Sequence, residues 1–353
     1  MKINFIVPEI SRTGGMRIIF EYANRLTSRG YNVVLYSPNI PFNNYMGMFM
    51  PYYIKYRFKY GLKNIITGNK LAENIFERSF DVKFLWMFND HTIRDADVTV
   101  ATSWTTSYVV DKLNESKGKK YYLIQDYEQW NSNVEYVDKS YSLNLNRITV
   151  SGYLKNLLLD RFNSDSEVIL NSIDFSVFNN PGKKFGTKTQ ILFMDHSLEN
   201  KNTVDAIETV KNLKFKYPDL NIKCFGFKNY HKLPDFVNFT ENPDDIEIKR
   251  LYCESDIFLY TSKFEGFGLP PAEAMACKCA VVGNNVGAVP EFSQNMKSAI
   301  LTSPEFPHEL IKGAEYLLNN KEELKRISLE GCKSVKEKLN WDNSVDKFIK
   351  LIS

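Results

Sequence analysis

The chain alternates short apolar segments with amphipathic ones, and it does so twice. In the first half the strand-like segments lie at 3–7, 33–36, 98–101, 121–125 and 147–151. In the second half they lie at 191–194, 221–225, 257–260 and 280–282. Segments of helical periodicity follow the first strand of each half, at 16–29 and 203–214. Strands joined through helices pair as parallel neighbours, so the sequence predicts an α/β fold with two parallel sheets.

The length of the chain agrees with two domains. Its 353 residues are enough for two cores of ordinary size. The run Pro181-Gly182-Lys183-Lys184 separates the two halves, so the boundary lies within 176–188. We predict an N-terminal domain at 1–178, a C-terminal domain at 179–338 and a final helix within 339–353. That helix is indicated by apolar residues at near-helical spacing, which are Trp341, Val345, Phe348, Ile349 and Ile352.

Composition indicates a soluble globular protein. Hydrophobic residues make up 43% and charged residues 25% of the chain, which argues against disorder. No segment approaches the roughly 18 consecutive apolar residues of a membrane span. The first eight residues are predicted to form a strand followed by a turn. This apolar segment is too short for the hydrophobic region of a signal peptide, so we expect a cytoplasmic protein. The five cysteines lack the spacing of a zinc or redox site, and we interpret them as reduced thiols.

A basic and aromatic segment interrupts the first half. The net charge is only +3, but no acidic residue occurs between Asn43 and Ala72, where lysines and an arginine alternate with tyrosines and follow several methionines. This pattern favours contact through residues 46–63 with lipid headgroups or a polyprenyl-phosphate acceptor, at the inner face of the plasma membrane. The alternative is an excursion whose aromatics pack on the first domain while its lysines extend outward. No nucleic-acid-binding module accompanies the segment, so we expect no nucleic-acid partner.

The strongest chemical motif follows the strand at 257–260. It reads Glu265-Gly266-Phe267-Gly268-Leu269-Pro270-Pro271-Ala272-Glu273-Ala274-Met275-Ala276. Glycines allow the backbone to approach a ligand, and a proline suits the first turn of a helix. Because a helix N-terminus carries unpaired N–H groups and partial positive charge, the amides of Gly268 and Leu269 are predicted to bind a phosphate group.

The two carboxylates of this run predict contacts beyond the phosphate. Glu273 suits the hydroxyl groups of a ribose, as acidic residues do in other nucleotide-binding folds. Glu265, in the loop, would contact whatever extends past the phosphates. The alternative is that Glu273 only complements the helix dipole in the first turn and Glu265 is a solvated loop residue. The intervening Gly-Phe-Gly-Leu-Pro-Pro favours the functional interpretation.

This run resembles the E-x7-E signature of the retaining nucleotide-sugar glycosyltransferases of family 4. The resemblance implies the GT-B fold, in which two Rossmann-like domains face a central cleft. It also implies that the segment 339–353 crosses back to the N-terminal domain, which would be the acceptor side, and that the C-terminal domain binds the donor. Gly266, Phe267, Gly268 and Leu269 would then contact the donor.

The loop after the first strand also resembles this family. Gly14 and Gly15 lie between the strand and the first helix, where a glycine pair allows a tight turn and close approach to a ligand. They match the family's glycine loop, which faces the donor phosphates and the acceptor. Arg17, in the same stretch, is accordingly assigned to acceptor binding.

The loop at 195–201 matches the family only in part. Lys201 occupies the position of the family's lysine, whereas His196 stands at the position of an arginine and Asp195 at that of a glycine. Two cations on the diphosphate would stabilise the leaving group. Lys201 can do so at any ordinary pH, and His196 only when protonated or as a neutral donor. A loop histidine without a role in catalysis is the alternative for His196.

The strand at 121–125 ends in Gln125-Asp126-Tyr127-Glu128, where many family members have a histidine. This sequence resembles the variant of some bacterial rhamnosyltransferases that use a dTDP-sugar. Gln125 would bind hydroxyls of the sugar or acceptor, and Asp126 would orient the acceptor or accept its proton. The alternative is that Asp126 caps the following loop.

Together these features predict a retaining, metal-independent glycosyltransferase. It would move a sugar from a nucleotide diphosphate, either dTDP-rhamnose or a UDP- or GDP-sugar, to a glycan or lipid-linked acceptor in bacterial surface polysaccharide synthesis. Glu265, Lys201 and Asp126 would be its catalytic residues, and no cofactor or metal is expected. The alternatives are a GT-B-like nucleotide-sugar epimerase and a sugar-binding protein without catalysis.

Overall fold

The computed structural model describes residues 1–39, 76–129, 133–186 and 188–353. They form two compact units, one of Met1–Asn171 with Asp342–Ser353 and one of Ser172–Trp341. The predicted boundary after residue 178 lies a few residues beyond this division. The basic and aromatic segment at 46–63 lies outside the described residues.

The first unit is built on a seven-stranded parallel sheet. Its strands are β1 (Lys2–Ile6), β2 (Asn32–Pro38), β3 (Asp81–Leu85), β4 (Val98–Ala101), β5 (Lys119–Ile124), β6 (Asn146–Thr149) and β7 (Glu167–Val168). Their order across the sheet is β3-β2-β1-β4-β5-β6-β7. Phe5 in the central strand pairs with Leu35 on one side and Val100 on the other. All three side chains are buried, as expected for a parallel sheet covered on both faces.

Five helices of the described residues belong to the first unit. They are α1 (Gly14–Ser28), α2 (Trp104–Lys112), α3 (Val134–Ser140), α4 (Gly152–Phe162) and α11 (Trp341–Ile352), whose first residue belongs to the second unit. Three begin at a serine or threonine whose side chain accepts a backbone N–H, the usual N-cap: Thr13, Ser103 and Ser151. The sheet and its helices therefore have the βαβ connections that the alternating sequence predicts.

The second unit contains a six-stranded parallel sheet. Its strands are β8 (Gln190–Met194), β9 (Asn221–Gly226), β10 (Val237–Glu241), β11 (Ile257–Tyr260), β12 (Ala280–Asn284) and β13 (Ile300–Thr302). Their order is β10-β9-β8-β11-β12-β13. Its helices are α5 (Thr203–Lys216), α6 (Asp245–Glu254), α7 (Leu269–Ala276), α8 (Val289–Phe292), α9 (His308–Asn319) and α10 (Lys321–Lys338).

Both sheets reverse their chain order beside the first strand of the unit. The reversal lies between β1 and β4 in one sheet and between β8 and β11 in the other. Open α/β sheets bind ligands outside the carboxyl ends of their strands at this position. The predicted motif at 265–276 follows β11 and therefore lies at the switch point of the second sheet.

The predicted thiols and helices can be compared directly with the structure. All five cysteines are free, and four of them are buried. None of the helices in the described part of the chain has both the length and the apolar character needed to span a bilayer.

Candidate functional site

A buried ion pair lies at the switch point of the second sheet. Lys201 ends the loop after β8, Glu265 lies in the loop after β11, and the lysine Nζ contacts the carboxylate Oε1. The hydroxyl of Ser262 donates to the same oxygen at 3.1 Å. The side chains are only 17% and 8% exposed, so both charges are largely removed from water and must stabilise each other. The predicted alternative of a solvated Glu265 is therefore wrong.

Hydrogen bonds between the two loops hold Lys201 in place. The amide of Asn200 donates to the carbonyl of Phe264 at 3.2 Å, and the N–H of Lys263 donates to the carbonyl of Asn200 at 2.7 Å. The hydroxyl of Thr261 donates to the carbonyl of Lys201 at 3.0 Å. The position of Lys201 is thus determined by its neighbouring strand rather than by its own loop alone.

Asn284, at the end of β12, supports the same loop from the other side. Its amide nitrogen donates to the carbonyls of Thr261 and Ser262 at 3.0 and 3.1 Å. Its oxygen accepts from the hydroxyl of Thr302 at 2.9 Å. Asn284 could not be identified from the sequence, because its role depends on the pairing of β11, β12 and β13.

The loop after β12 packs directly beneath Glu265. Gly287 has a φ of +62°, and a Cβ there would lie 3.0 Å from the carbonyl oxygens of Glu265 and Phe267. The N–H of Ala288 donates to the carbonyl of Phe267 at 2.9 Å. Gly287 is therefore required both by its backbone conformation and by the close approach of this loop.

Helix α7 begins at Leu269, after Gly268, whose φ is +99°. Pro270 and Pro271 follow in the first turn and have no N–H, so the amides of Gly268 and Leu269 are the ones this turn can direct at an anion. The side chain of Phe267 packs on Phe292, with ring centroids 5.7 Å apart, and is buried. The predicted donor contact of Phe267 is therefore one that its backbone can make, because its ring is buried.

Glu273 is the fifth residue of helix α7, and the first turn contains no acidic residue. The expected placement of Glu273 in the first turn is therefore wrong, and its binding of a ribose stays a prediction. The residue is only 7% exposed, and the hydroxyl of Tyr252 donates to its Oε2 at 3.4 Å. Burial and the neighbouring Glu273 carboxylate raise the pKa of Tyr252 well above its usual value, so this hydroxyl remains a donor.

His196 lies beside Lys201 and is half-buried. Its Nδ1 accepts the N–H of Leu198 at 3.0 Å. Burial, and then the charge of Lys201, lower the pKa of His196 below its ordinary value. The imidazole is therefore neutral near pH 7 and presents an Nε2–H donor, which favours the neutral-donor interpretation over a second cation.

The predicted acceptor-side residues lie at the carboxyl ends of β1 and β5. The amide of Gln125 donates to the carbonyl of Gly15 at 3.2 Å, so the loop after β5 contacts the start of α1. Helix α1 already begins at Gly14, and neither Gly14 nor Gly15 has positive φ. The predicted position of the glycine pair, between the strand and the helix, is therefore wrong, because both glycines lie in the first turn of α1. Arg17 is half-buried in the first turn of the same helix.

The carboxyl groups after β5 differ in their surroundings. Asp126 accepts the N–H of Tyr127 at 2.8 Å, a contact that also fits its predicted capping alternative. Glu128 retains some exposed surface, but its carboxyl group is buried and hydrogen-bonded to the backbone of Trp104, the first residue of α2. Burial and the charge of Asp126 raise the pKa of Glu128 to about 8. Glu128 had no role predicted from the sequence, because its burial follows from the pairing of β4 with β5.

Part of the chain is similar in sequence to known glycosyltransferases. Residues 175–333 match the family described as glycosyl transferases group 1. The uncharacterized glycosyltransferase MJ1178 of Methanocaldococcus jannaschii is 29% identical over 56% of this chain and 56% of its own length. The O-antigen chain mannosyltransferase RfbU of Salmonella typhimurium is 30% identical over 45% of this chain and 46% of its own. The matched segment thus spans about half the length of these two relatives.

The fold is shared along the whole chain. Anabaena HepE in complex with UDP superposes with a TM-score of 0.75 at 13% identity, covering 100% of this chain and 99% of HepE. At that identity the likeness establishes the fold, which is GT-B with two parallel-sheet α/β domains. The segment that matches the group 1 glycosyltransferases, residues 175–333, contains the Lys201, Glu265 and Glu273 site.

Proposed function

We propose that the protein is a retaining, metal-independent glycosyltransferase that uses a nucleotide diphosphate-sugar as donor. The observation that supports this most is the buried Lys201–Glu265 pair beside the N-terminus of α7, within the segment that matches group 1 glycosyltransferases. It combines a fixed cation, a helix N-terminus and carboxylates in one place, which are the groups that a diphosphate-sugar requires.

In the proposed reaction, the bond from the sugar to the donor diphosphate breaks and a bond to an acceptor hydroxyl forms. The negative charge that develops on the leaving oxygen is stabilised by Lys201 and the amides of Gly268 and Leu269. His196 donates through Nε2–H without adding charge. The proton released by the acceptor is taken up by Asp126 or by the departing diphosphate.

The two carboxylates have separate proposed roles. Glu273, oriented by the Tyr252 hydroxyl, accepts hydrogen bonds from the ribose. Glu265 binds hydroxyls of the transferred sugar while it remains paired with Lys201. The pairing would hold the Glu265 carboxylate in one orientation and place the sugar next to the breaking bond.

The acceptor is proposed to be a glycan or lipid-linked molecule of bacterial surface polysaccharide synthesis. Gln125, Asp126 and Arg17 are its proposed contacts, and residues 46–63 are the proposed membrane contact. For the donor, the Gln125-Asp126 similarity supports dTDP-rhamnose, whereas the name of RfbU supports a mannosyl donor such as a GDP-sugar.

Replacement of Lys201 by Met tests the proposed reaction. Donor turnover should fall about 10²-fold or more, the usual effect of removing one group that stabilises developing charge. Lys201→Arg should retain part of the activity. Lys263→Met is the control and should leave turnover unchanged, because the Lys263 side chain is exposed on the neighbouring loop after β11. The assay measures the nucleotide released from UDP-, GDP- and dTDP-sugars. NMR gives the anomeric configuration of the glycosylated product. Equal turnover in the Lys201→Met variant would contradict the assignment.

Metal independence and the need for an acceptor are tested in the same assay. Turnover should persist in excess EDTA, and loss of turnover that Mg²⁺ restores would contradict the proposal. Free nucleotide should appear only when acceptor is added. Interconversion of the donor sugar without acceptor would instead identify an epimerase.

A further inference from the structure

A second charged cluster lies at the carboxyl end of the second sheet, where β8 and β9 end. Asp195 follows β8 and is only 1% exposed. Its Oδ2 accepts the N–H of Tyr230 at 2.7 Å, and its Oδ1 lies 2.6 Å from Nδ1 of His231. Tyr230 and His231 belong to the loop between β9 and β10. A buried carboxylate thus ties this loop to the strand that precedes His196 and Lys201.

The ends of the two strands are in close contact. The N–H of Asp195 donates to the carbonyl of Phe225 at 2.8 Å. A Cβ at Gly226 would lie 2.4 Å from the carbonyl oxygen of Asp195, so only glycine fits at the end of β9. The loop that begins at Phe227 therefore has a fixed starting point and a fixed anchor at His231.

The contact with Asp195 determines the chemistry of the imidazole. A carboxylate only accepts hydrogen bonds, so Nδ1 of His231 carries the proton and Nε2 of the neutral ring is an acceptor. The His231 side chain is 29% exposed. Two further rings on the same loop are exposed, Phe227 at 71% and Tyr230 at 41%. The loop therefore combines an oriented acceptor nitrogen with aromatic surface.

We propose that His231, held by Asp195, binds the nucleobase of the donor, with Nε2 accepting a hydrogen bond from a base N–H and Phe227 and Tyr230 offering aromatic surface to the ring. This inference rests on the proposed function of the same domain. It adds a residue pair for recognition of the nucleoside to the groups already assigned to the diphosphate, ribose and sugar.

The strand order supports this position for the nucleobase. Lys201 and the start of α7 lie at the switch between β8 and β11, and β9 neighbours β8 on the other side. On the β12 side, the loop with Gly287 and Ala288 packs directly against the backbone of Glu265 and Phe267. An acceptor nitrogen on a loop with exposed aromatic rings suits an uncharged heterocycle with N–H groups and does not suit an anion.

The variant His231→Asn separates recognition from structure. The amide of asparagine can replace the Nδ1–H donor to Asp195, but it has no group in the place of Nε2. Binding of UDP, dTDP and GDP is compared with that of inorganic pyrophosphate by calorimetry. We expect the dissociation constant of the preferred nucleotide to rise about tenfold, the effect of losing one hydrogen bond. The affinity for pyrophosphate should not change.

A second variant, Asp195→Asn, tests the orientation of the ring. An asparagine amide that donates to Nδ1 would move the imidazole proton to Nε2, which would then be a donor. We expect nucleotide affinity to fall as in His231→Asn, with ¹⁵N NMR showing the exchanged proton and the melting temperature showing that the fold is retained. His308→Asn is the control, because His308 begins α9 and is exposed.

The outcomes distinguish this inference from the proposed function. If the wild-type protein binds none of the nucleotides, the proposed function fails. If it binds one, and both variants bind it equally well, the role of His231 is overturned while the proposed function stands. Weaker binding of pyrophosphate by His231→Asn would also overturn the inference, because the effect would then not belong to the nucleobase.

Discussion

Carboxylates removed from water are the main feature of the candidate site at the scale of single residues. Glu265 is held by Lys201 and Ser262, Glu273 accepts from Tyr252, and Asp195 accepts from the loop after β9. A buried carboxylate is stable only with such partners, which also fix its orientation. Each of these groups is therefore presented to a ligand in one geometry.

Replacing Glu273 with Ala should weaken binding of the nucleotide donor. Hydrogen bonds to a charged group contribute about 1.5–3 kcal/mol each, so loss of one ribose contact should raise the dissociation constant roughly tenfold or more. Tyr252→Phe should produce a smaller increase, because its 3.4 Å hydrogen bond only orients the carboxylate. Calorimetry with the nucleoside diphosphate measures both effects.

Glu322→Ala is the matched control for this experiment, because Glu322 is exposed at the start of α10. Its donor affinity should equal that of the wild-type protein. If Glu273→Ala binds the nucleoside diphosphate as tightly as the wild-type protein, Glu273 does not contact the donor.

The titration of Glu128 should make stability depend on pH. Its pKa is raised from 4.5 to about 8, so between these values the unfolded chain loses the proton while the folded chain keeps it. The free energy of unfolding then decreases as pH rises through this window, and the contribution is lost above pH 8. Glu128→Gln imitates the protonated form and should have a melting temperature that exceeds that of the wild-type protein by more at pH 8 than at about pH 5. If the melting temperatures of the variant and the wild-type protein differ by the same amount at every pH in that range, the raised pKa of Glu128 is contradicted.

At the scale of elements, the start of helix α7 depends on the conformation of one glycine. Gly268 has φ +99° and ψ 62°, which is unfavourable for any residue with a Cβ. A Cβ there would also lie 3.2 Å from the Tyr260 hydroxyl and from Cγ2 of Val289. The direction of the anion-facing amides is therefore set by this residue.

Gly268→Ala should destabilise the protein by about 1–3 kcal/mol, the range for a strained backbone conformation, and should weaken donor binding. Gly182→Ala is the matched control, because its φ is not positive and a Cβ there would meet nothing within 4 Å. Urea denaturation measures both variants. Equal stability of the two variants would show that α7 can begin without the left-handed residue.

The elements that sequence analysis found are those with continuous apolar character. β4 and β11 have the predicted bounds, and the other predicted strands shift by a few residues. The strands that were not predicted include β3 and β10, each of which lies at one edge of its sheet. Edge strands carry exposed polar residues, as in Val237-Asn238-Phe239-Thr240-Glu241, and so lack the pattern of a buried strand.

At the scale of the whole molecule, the chain returns to its beginning through α11. Phe348 is fully buried in the first unit, 6.2 Å from the ring centroid of Phe5 and 5.2 Å from that of Tyr22. The hydroxyl of Tyr121 donates to the carbonyl of Leu351 at 2.9 Å. The first core is therefore completed by residues from both ends of the chain.

Phe348→Ala should destabilise the first unit by about 3–5 kcal/mol, the usual effect of removing a buried phenylalanine. Hydrogen exchange should become faster in β1 and α1, while peptides of the second unit keep their protection. Lys347→Ala, at an exposed position of the same helix, should leave both units unchanged. Faster exchange confined to the second unit would contradict this assignment of α11.

The sequence by itself determined the alternation of strands and helices, and with it two parallel-sheet domains, because hydrophobic periodicity and chain connectivity are local properties. It also located the Glu265–Glu273 run and Lys201. Only the tertiary structure decided which groups meet. Lys201 and Glu265 are 64 residues apart, and Asp195 and His231 are 36 apart. Strand order, which no local pattern encodes, brings these pairs together and sets the burial that gives them their chemistry.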